Sequence, residues 1–90
     1  GNRISKGILI SRLAACVTII PGVRSMYWWE GKIARANEAM LVVKTTRNQY
    51  RRLERKILEL HPYEVPEIIA IPLVAGSPQY IEWIKGEVAN

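Results

Sequence analysis

The stretch Ala15-Cys16-Val17-Thr18-Ile19-Ile20-Pro21-Gly22-Val23-Arg24-Ser25-Met26-Tyr27-Trp28-Trp29-Glu30-Gly31-Lys32 sets the organisation of the chain. From Val17 to Ile20 every side chain is β-branched, a type that packs well on a pleated surface and loses rotamer freedom in a helix. Ala15–Ile20 therefore reads as a strand. Pro21 and Gly22 interrupt it, and such a pair inside a strand pattern points to a bulge or bend. Extended character resumes from Val23 to Lys32. Alternation there sends Tyr27 and Trp29 to one face and Trp28 to the other, so at least one ring is expected to bury at an interface.

Working outward, residues 33–37 are predicted to turn the chain and Glu38–Thr46 to form a second strand. Its unbroken run Ala39-Met40-Leu41-Val42-Val43 suggests burial on both faces. Upstream, residues 2–13 read as a helix with Asn2 as N-cap and Ile4, Ile8 and Leu9 on one face, weakened by Gly7. Downstream, residues 48–60 carry Tyr50, Leu53, Ile57 and Leu60 at helical spacing. Arg51, Arg52, Arg55, Lys56 and Glu59 fill the outer face, and Asn48 is the expected cap.

The segment Leu60-His61-Pro62-Tyr63-Glu64-Val65-Pro66-Glu67-Ile68 follows, with two prolines that fix φ and push His61 and Val65 toward extended geometry. A stiff loop of this kind can hold an imidazole, a phenol and a carboxylate in fixed positions. Glu67–Ile71 reads as a third strand. Ser77 before Pro78 is a helix-start signal for a last helix through Glu87, packed through Tyr80, Trp83 and Ile84. The order is α-β-β-α-β-α in a single domain of residues 1–90. One more strand in front would complete the ferredoxin-like α+β plan, the split βαβ sandwich, here with an added C-terminal helix.

Composition narrows the function classes. With 49% hydrophobic and 23% charged residues the chain is globular. Three Trp and four Tyr without a single Phe favour interfaces and pocket rims over dry cores. The net charge of +5 is compatible with anionic partners. No RNA-recognition signature accompanies it, so a solvated basic face is expected and nucleic acid is not. A single cysteine cannot close an internal disulfide, which suits a reducing cytoplasm. No apolar run approaches the roughly 20 residues of a membrane helix, so no membrane partner is expected.

Enzyme signatures are missing: there is no glycine-rich phosphate loop, no His-Glu-x-x-His, and no Asp anywhere. The chain is expected to be no enzyme. Cys16, in its β-branched strand, is either a small buried hydrophobe or a thiolate ligand for a soft metal. His61 either caps the preceding helix or acts as a ligand or acid–base group. One Cys and one His fall short of the about four ligands of a closed zinc site, so a metal would also need Glu67, solvent or a second copy. Trp29, Lys44, Tyr63 and Glu67 could line a pocket between subunits, or be a strand-end lysine, interface aromatics and a paired carboxylate.

Five stretches in order resemble the CutA divalent-cation-tolerance family. They are Arg12-Leu13-Ala14-Ala15-Cys16-Val17, Ser25-Met26-Tyr27-Trp28-Trp29-Glu30-Gly31, Leu41-Val42-Val43-Lys44-Thr45, His61-Pro62-Tyr63-Glu64-Val65-Pro66-Glu67-Ile68 and Tyr80-Ile81-Glu82-Trp83. The resemblance implies a ferredoxin-like subunit, a homotrimer with sheets meeting edge to edge, and a cytoplasmic role in tolerance of copper or another divalent metal ion. It implicates Cys16 in copper binding, and the number of ligands a metal site needs adds His61 and Glu67 as further metal-ligand candidates. Because the trimer is similar to that of PII signalling proteins, a trimer binding a small anionic ligand between subunits through Trp29, Lys44 and Tyr63 is the alternative. Family members begin with a strand ahead of the first helix. The expectation is that the present chain lacks it, being N-terminally truncated relative to the family.

Overall fold

Glu30 and Gly31 turn the chain between two long strands, β1 (Cys16–Trp29) and β2 (Lys32–Lys44), in a computed structural model that describes residues 2–60 and 67–89. Trp29 pairs with Lys32, leaving a two-residue loop in which Glu30 (φ 50°) and Gly31 (φ 78°) are both left-handed. Paired positive φ values are the signature of the type I′ turn, whose twist matches that of the flanking strands. The turn thus lies upstream of the 33–37 expected from sequence, and β2 begins at Lys32. Glu-Gly is a less conspicuous turn pair than Asn-Gly, which is why the hairpin signal was weak.

The strands are antiparallel from Cys16↔Lys44 to Trp29↔Lys32, with one irregularity between Ile20 and Val23. Ile20 pairs with Met40 and Val23 with Glu38, so Pro21 and Gly22 together oppose Ala39. This is the bulge expected at Pro21-Gly22, and Gly22 takes φ 70° there.

Helix α1 (Asn2–Ile10) and helix α2 (Tyr50–Leu60) pack on one face of the open end of this hairpin. Ile4, Ile8, Leu13, Ala14 and Leu53 form the core, and Val17, Leu41, Val43, Ile57 and Leu60 pack around it. Ile8 is fully buried, whereas Leu9 is 39% exposed and does not share the buried stripe. Asn2 is the first residue of α1 and lies inside the helix. The helix stops at Ile10, short of residue 13, because Arg12 turns left-handed at φ 59°.

A 3-10 turn, Arg47–Gln49, leads into α2, so Asn48 sits within that turn and is not the cap. Helix α3 (Pro78–Glu87) starts as its sequence requires, with Ser77 at the N-cap and Pro78 in the first turn. Of its packing residues only Ile84 is buried, while Tyr80 (39%) and Trp83 (43%) stay substantially exposed.

Residues 67–77 are irregular, where Glu67–Ile71 reads as a strand in sequence. A strand persists by pairing its backbone groups, and among the described residues the sheet consists of β1 and β2 alone. Ile69, Ile71, Leu73 and Val74 are accordingly 67–96% exposed. The continuous apolar run in β2 is likewise covered on one face only: Leu41 and Val43 face the helices, whereas Met40 (48%) and Val42 (38%) do not.

Candidate functional site

Cross-strand partners share a face of a sheet, so the register assigns every strand side chain. Val17 with Val43 and Ile19 with Leu41 face the helices. Cys16 with Lys44, Thr18 with Val42 and Ile20 with Met40 therefore lie on the opposite face. The bulge inserts one extra residue in β1, and beyond it Val23, Ser25, Tyr27 and Trp29 continue on the Cys16 face. Simple alternation from Cys16 would have put Trp28 there instead. The bulge thus places Cys16, Lys44, Tyr27 and Trp29 on one bare face.

At the open end of that face, Lys44 Nζ stands 5.3 Å from the centroid of the Tyr80 ring. Tyr80 in turn stacks on Trp83 with centroids 5.7 Å apart and planes inclined by 25°. A cation over a ring face is held by the ring quadrupole. Tyr80 raises the Lys44 pKa above its ordinary 10.5, first by hydrogen bonding and then by charge; desolvation opposes this and Cys16 adds a smaller upward push. Lys44 thus keeps its charge at every physiological pH. Cys16 is a free, half-buried thiol directly across from it, with Sγ 3.9 Å from Thr18 Oγ1.

Helix α3 is anchored so that Tyr80 and Trp83 reach this spot. Arg12 Nη1 donates to Glu87 Oε2 at 2.6 Å, Ala89 N donates to Arg12 O at 2.8 Å, and Gln49 Nε2 donates to Ala89 O at 2.6 Å. The roles of Tyr80 and Trp83 beside Lys44 were missed from sequence, which assigned both to packing. Their i,i+3 spacing on a well-started helix was the available signal.

The remaining predicted residues are distributed differently. Trp29 lies on the same face as Lys44 but at the other end of a 14-residue strand, which at about 3.3 Å per residue separates them by ~40 Å in a molecule 45 Å long. Within one chain the two do not share a pocket. Glu67 is exposed at the start of the irregular segment. His61 and Tyr63, with the proposed stiff loop, lie outside the described residues. No three of His, Cys, Asp and Glu gather into a metal-holding group among the described residues. Among the described residues Cys16 therefore belongs to no complete donor set for a cation.

Known proteins resemble the chain in both sequence and fold. The family model of the CutA1 divalent ion tolerance protein matches residues 1–87. The divalent-cation tolerance protein CutA of Thermus thermophilus is 43% identical over 82 residues, covering 91% of the chain and 80% of that protein. The chloroplastic CutA of Arabidopsis thaliana is 40% identical over 90 residues, and there the chain spans half of the relative's length. Among solved structures, the Thermus thermophilus protein superposes with a TM-score of 0.95 at 40% identity, over 98% of the chain and 85% of that structure. CutA1 from Oryza sativa gives 0.95 at 40% identity over 99% and 82%. The structure from Archaeoglobus fulgidus is described as a periplasmic divalent cation tolerance protein, so relatives carry names from more than one compartment. An α+β chain of hairpin and helices that matches these structures, with a sequence match over nearly its whole length, belongs to the CutA1 divalent ion tolerance family.

Proposed function

We propose that the chain works as a homotrimer that binds copper or a similar soft metal ion, with Cys16, His61 and Glu67 as donors, and so contributes to metal tolerance without catalysis. The observation that carries this reading is the bare sheet face. It bears a free thiol, exposes Ile20, Met40 and Val42, and ends ~40 Å away in Tyr27 and Trp29. A second copy would bring its Trp29 end toward Lys44 and cover apolar surface left open by one chain. Three such head-to-tail contacts close a ring and leave no unpaired interface. Tests of the ferredoxin-like sheet are inseparable from this, because Glu67–Ile71 needs a pairing partner to become a strand. A reducing compartment such as the cytoplasm suits the free thiol.

Light scattering at micromolar concentration is expected to return three times the chain mass, and a stable monomer would overturn the assembly. Cu(I) titration by competition with a chelator is expected to show near-stoichiometric uptake, lost in Cys16→Ser or in His61→Ala. Equal affinity for Ca²⁺ and copper would refute a soft site, because Ca²⁺ requires several oxygen ligands.

The second reading, a PII-like trimer holding a small anionic ligand, is favoured by one specific feature. Lys44 is a permanent cation beside the half-exposed Tyr80–Trp83 stack. Lys44→Ala is expected to abolish binding of such an anion and to spare metal uptake. His61→Ala is expected to do the reverse.

A further inference from the structure

We infer that the outer face of α2 holds a binding site for a soluble oligophosphate anion, distinct from the bare sheet face. Arg52, Arg55 and Lys56 border a depression of about 220 Å³ together with Leu13 and Glu59. These cations sit within one helical turn of each other, since three or four residues rise only about 5–6 Å along the axis. Their long side chains can therefore converge on a single group.

Each of the three is without an ion pair or side-chain hydrogen bond among the described residues, where the ion pairs are Arg12–Glu87 and Lys85–Glu82. Glu59 lies within i,i+4 reach of Arg55 and i,i+3 reach of Lys56 yet pairs with neither. Glu54, the next carboxylate on the helix, accepts from the Tyr50 hydroxyl. The depression thus carries two positive charges in excess of its one carboxylate. The first turn of α2 also contains Arg51 and Arg52 and no acidic residue. Cations at that end oppose the helix dipole, and a bound anion would relieve both repulsions at once.

The chemistry selects phosphate. Two guanidinium forks and an ammonium match adjacent, multiply charged oxygens, and Arg pairs bidentately with phosphate. Exposed single pairs are weak, so an anion with several charges is required to gain from all three. A lipid surface fits less well, because the only apolar lining residue, Leu13, is 9% exposed and offers nothing to insert. The site lies on the helical side of the sheet, opposite the face assigned to assembly, and stays open in a trimer built through that face.

The test is calorimetric titration of the full chain with sodium tripolyphosphate at low salt, alongside vesicles containing anionic lipid. Tripolyphosphate is expected to bind, to weaken with added salt, and to shift the amide signals of residues 51–57. The triple variant Arg52→Gln, Arg55→Gln, Lys56→Gln is expected to lose at least tenfold in affinity, while Arg24→Gln with Arg35→Gln on the hairpin leaves it unchanged. Tripolyphosphate is also expected to raise the melting midpoint of the parent chain and not that of the triple variant, which reads the site even if the variant is less stable. Undiminished binding by the triple variant, no binding of tripolyphosphate at low salt, or binding to vesicles alone would each overturn the proposal.

Discussion

Replacing Gly31 with alanine tests what holds the hairpin register, on which the shared face of Cys16, Lys44, Tyr27 and Trp29 depends. Gly31 has φ 78°, and a Cβ built there meets nothing within 4 Å. The cost therefore contains no clash and is wholly one of backbone conformation. An L-residue held left-handed costs roughly 1–2 kcal/mol. In a domain of this size each kcal/mol moves the melting midpoint by about 4–8 °C, so Gly31→Ala is expected to melt ~4–16 °C lower. Glu30, at φ 50°, already bears a cost of this kind. Glu30→Asn installs the residue that tolerates this region and precedes Gly in preferred hairpin turns, and is expected to stabilise by up to about 1 kcal/mol. Thermal unfolding followed by circular dichroism at one fixed chain concentration reads both changes, since association shifts midpoints with concentration. An unchanged midpoint for Gly31→Ala, or a lowered one for Glu30→Asn, would refute the turn as the source of register.

Other outcomes follow from single contacts. Gln49 is 2% exposed and donates to Ala89 O at 2.6 Å, while its buried Oε1 has no partner among the described residues, so Gln49→Ala removes one hydrogen bond together with one orphaned acceptor and is expected to cost about 0.5–1.5 kcal/mol, read by urea unfolding. Amide exchange in α3 should quicken with it; unaltered exchange there would show that Gln49 does not tether that helix. The pKa values of Lys44, through Tyr80, and of Tyr50, through desolvation and then Glu54, are both raised above their ordinary 10.5 and 10.0. For both groups the protonated form is favoured by folding, so their contribution is complete below those ordinary values and is lost as pH rises through the folded ones. Stability is expected to hold from neutrality up to that range and then fall, less steeply in Lys44→Met with Tyr50→Phe. An identical alkaline decline in that double variant would count against both contacts.

Much of the architecture was legible because it depends on neighbours in the chain. β-branched Val17–Ile20 made a strand, Pro21-Gly22 made a bulge, and Ser77-Pro78 started α3 where it begins. The family motifs were equally local, and they identified the chain before any contact was known. What sequence misjudged was set by partners. The turn moved from 33–37 to Glu30-Gly31 because two left-handed residues suffice once the strands pair around them. Glu67–Ile71 had strand propensity but pairs with no strand among the described residues, and Met40 and Val42 stayed exposed although their run looked buried on both sides.

The candidate site divides the same way. Cys16 and Lys44 stood out by residue type, yet their direct opposition across β1 and β2 follows only from register. Tyr80 and Trp83 join them through hydrogen bonds that connect α3 to Arg12 and Gln49, contacts between residues far apart in sequence. Trp29 shares the face of Lys44 but not its end of the strand, since faces alternate with every residue while distance accumulates, so a pocket joining the two takes Trp29 from another copy. Periodicity and turn chemistry act within a few residues and can be read from the chain. Which side chains meet depends on pairing across dozens of residues, where one extra residue at Pro21-Gly22 is enough to exchange Trp28 for Trp29 on the face that carries the thiol.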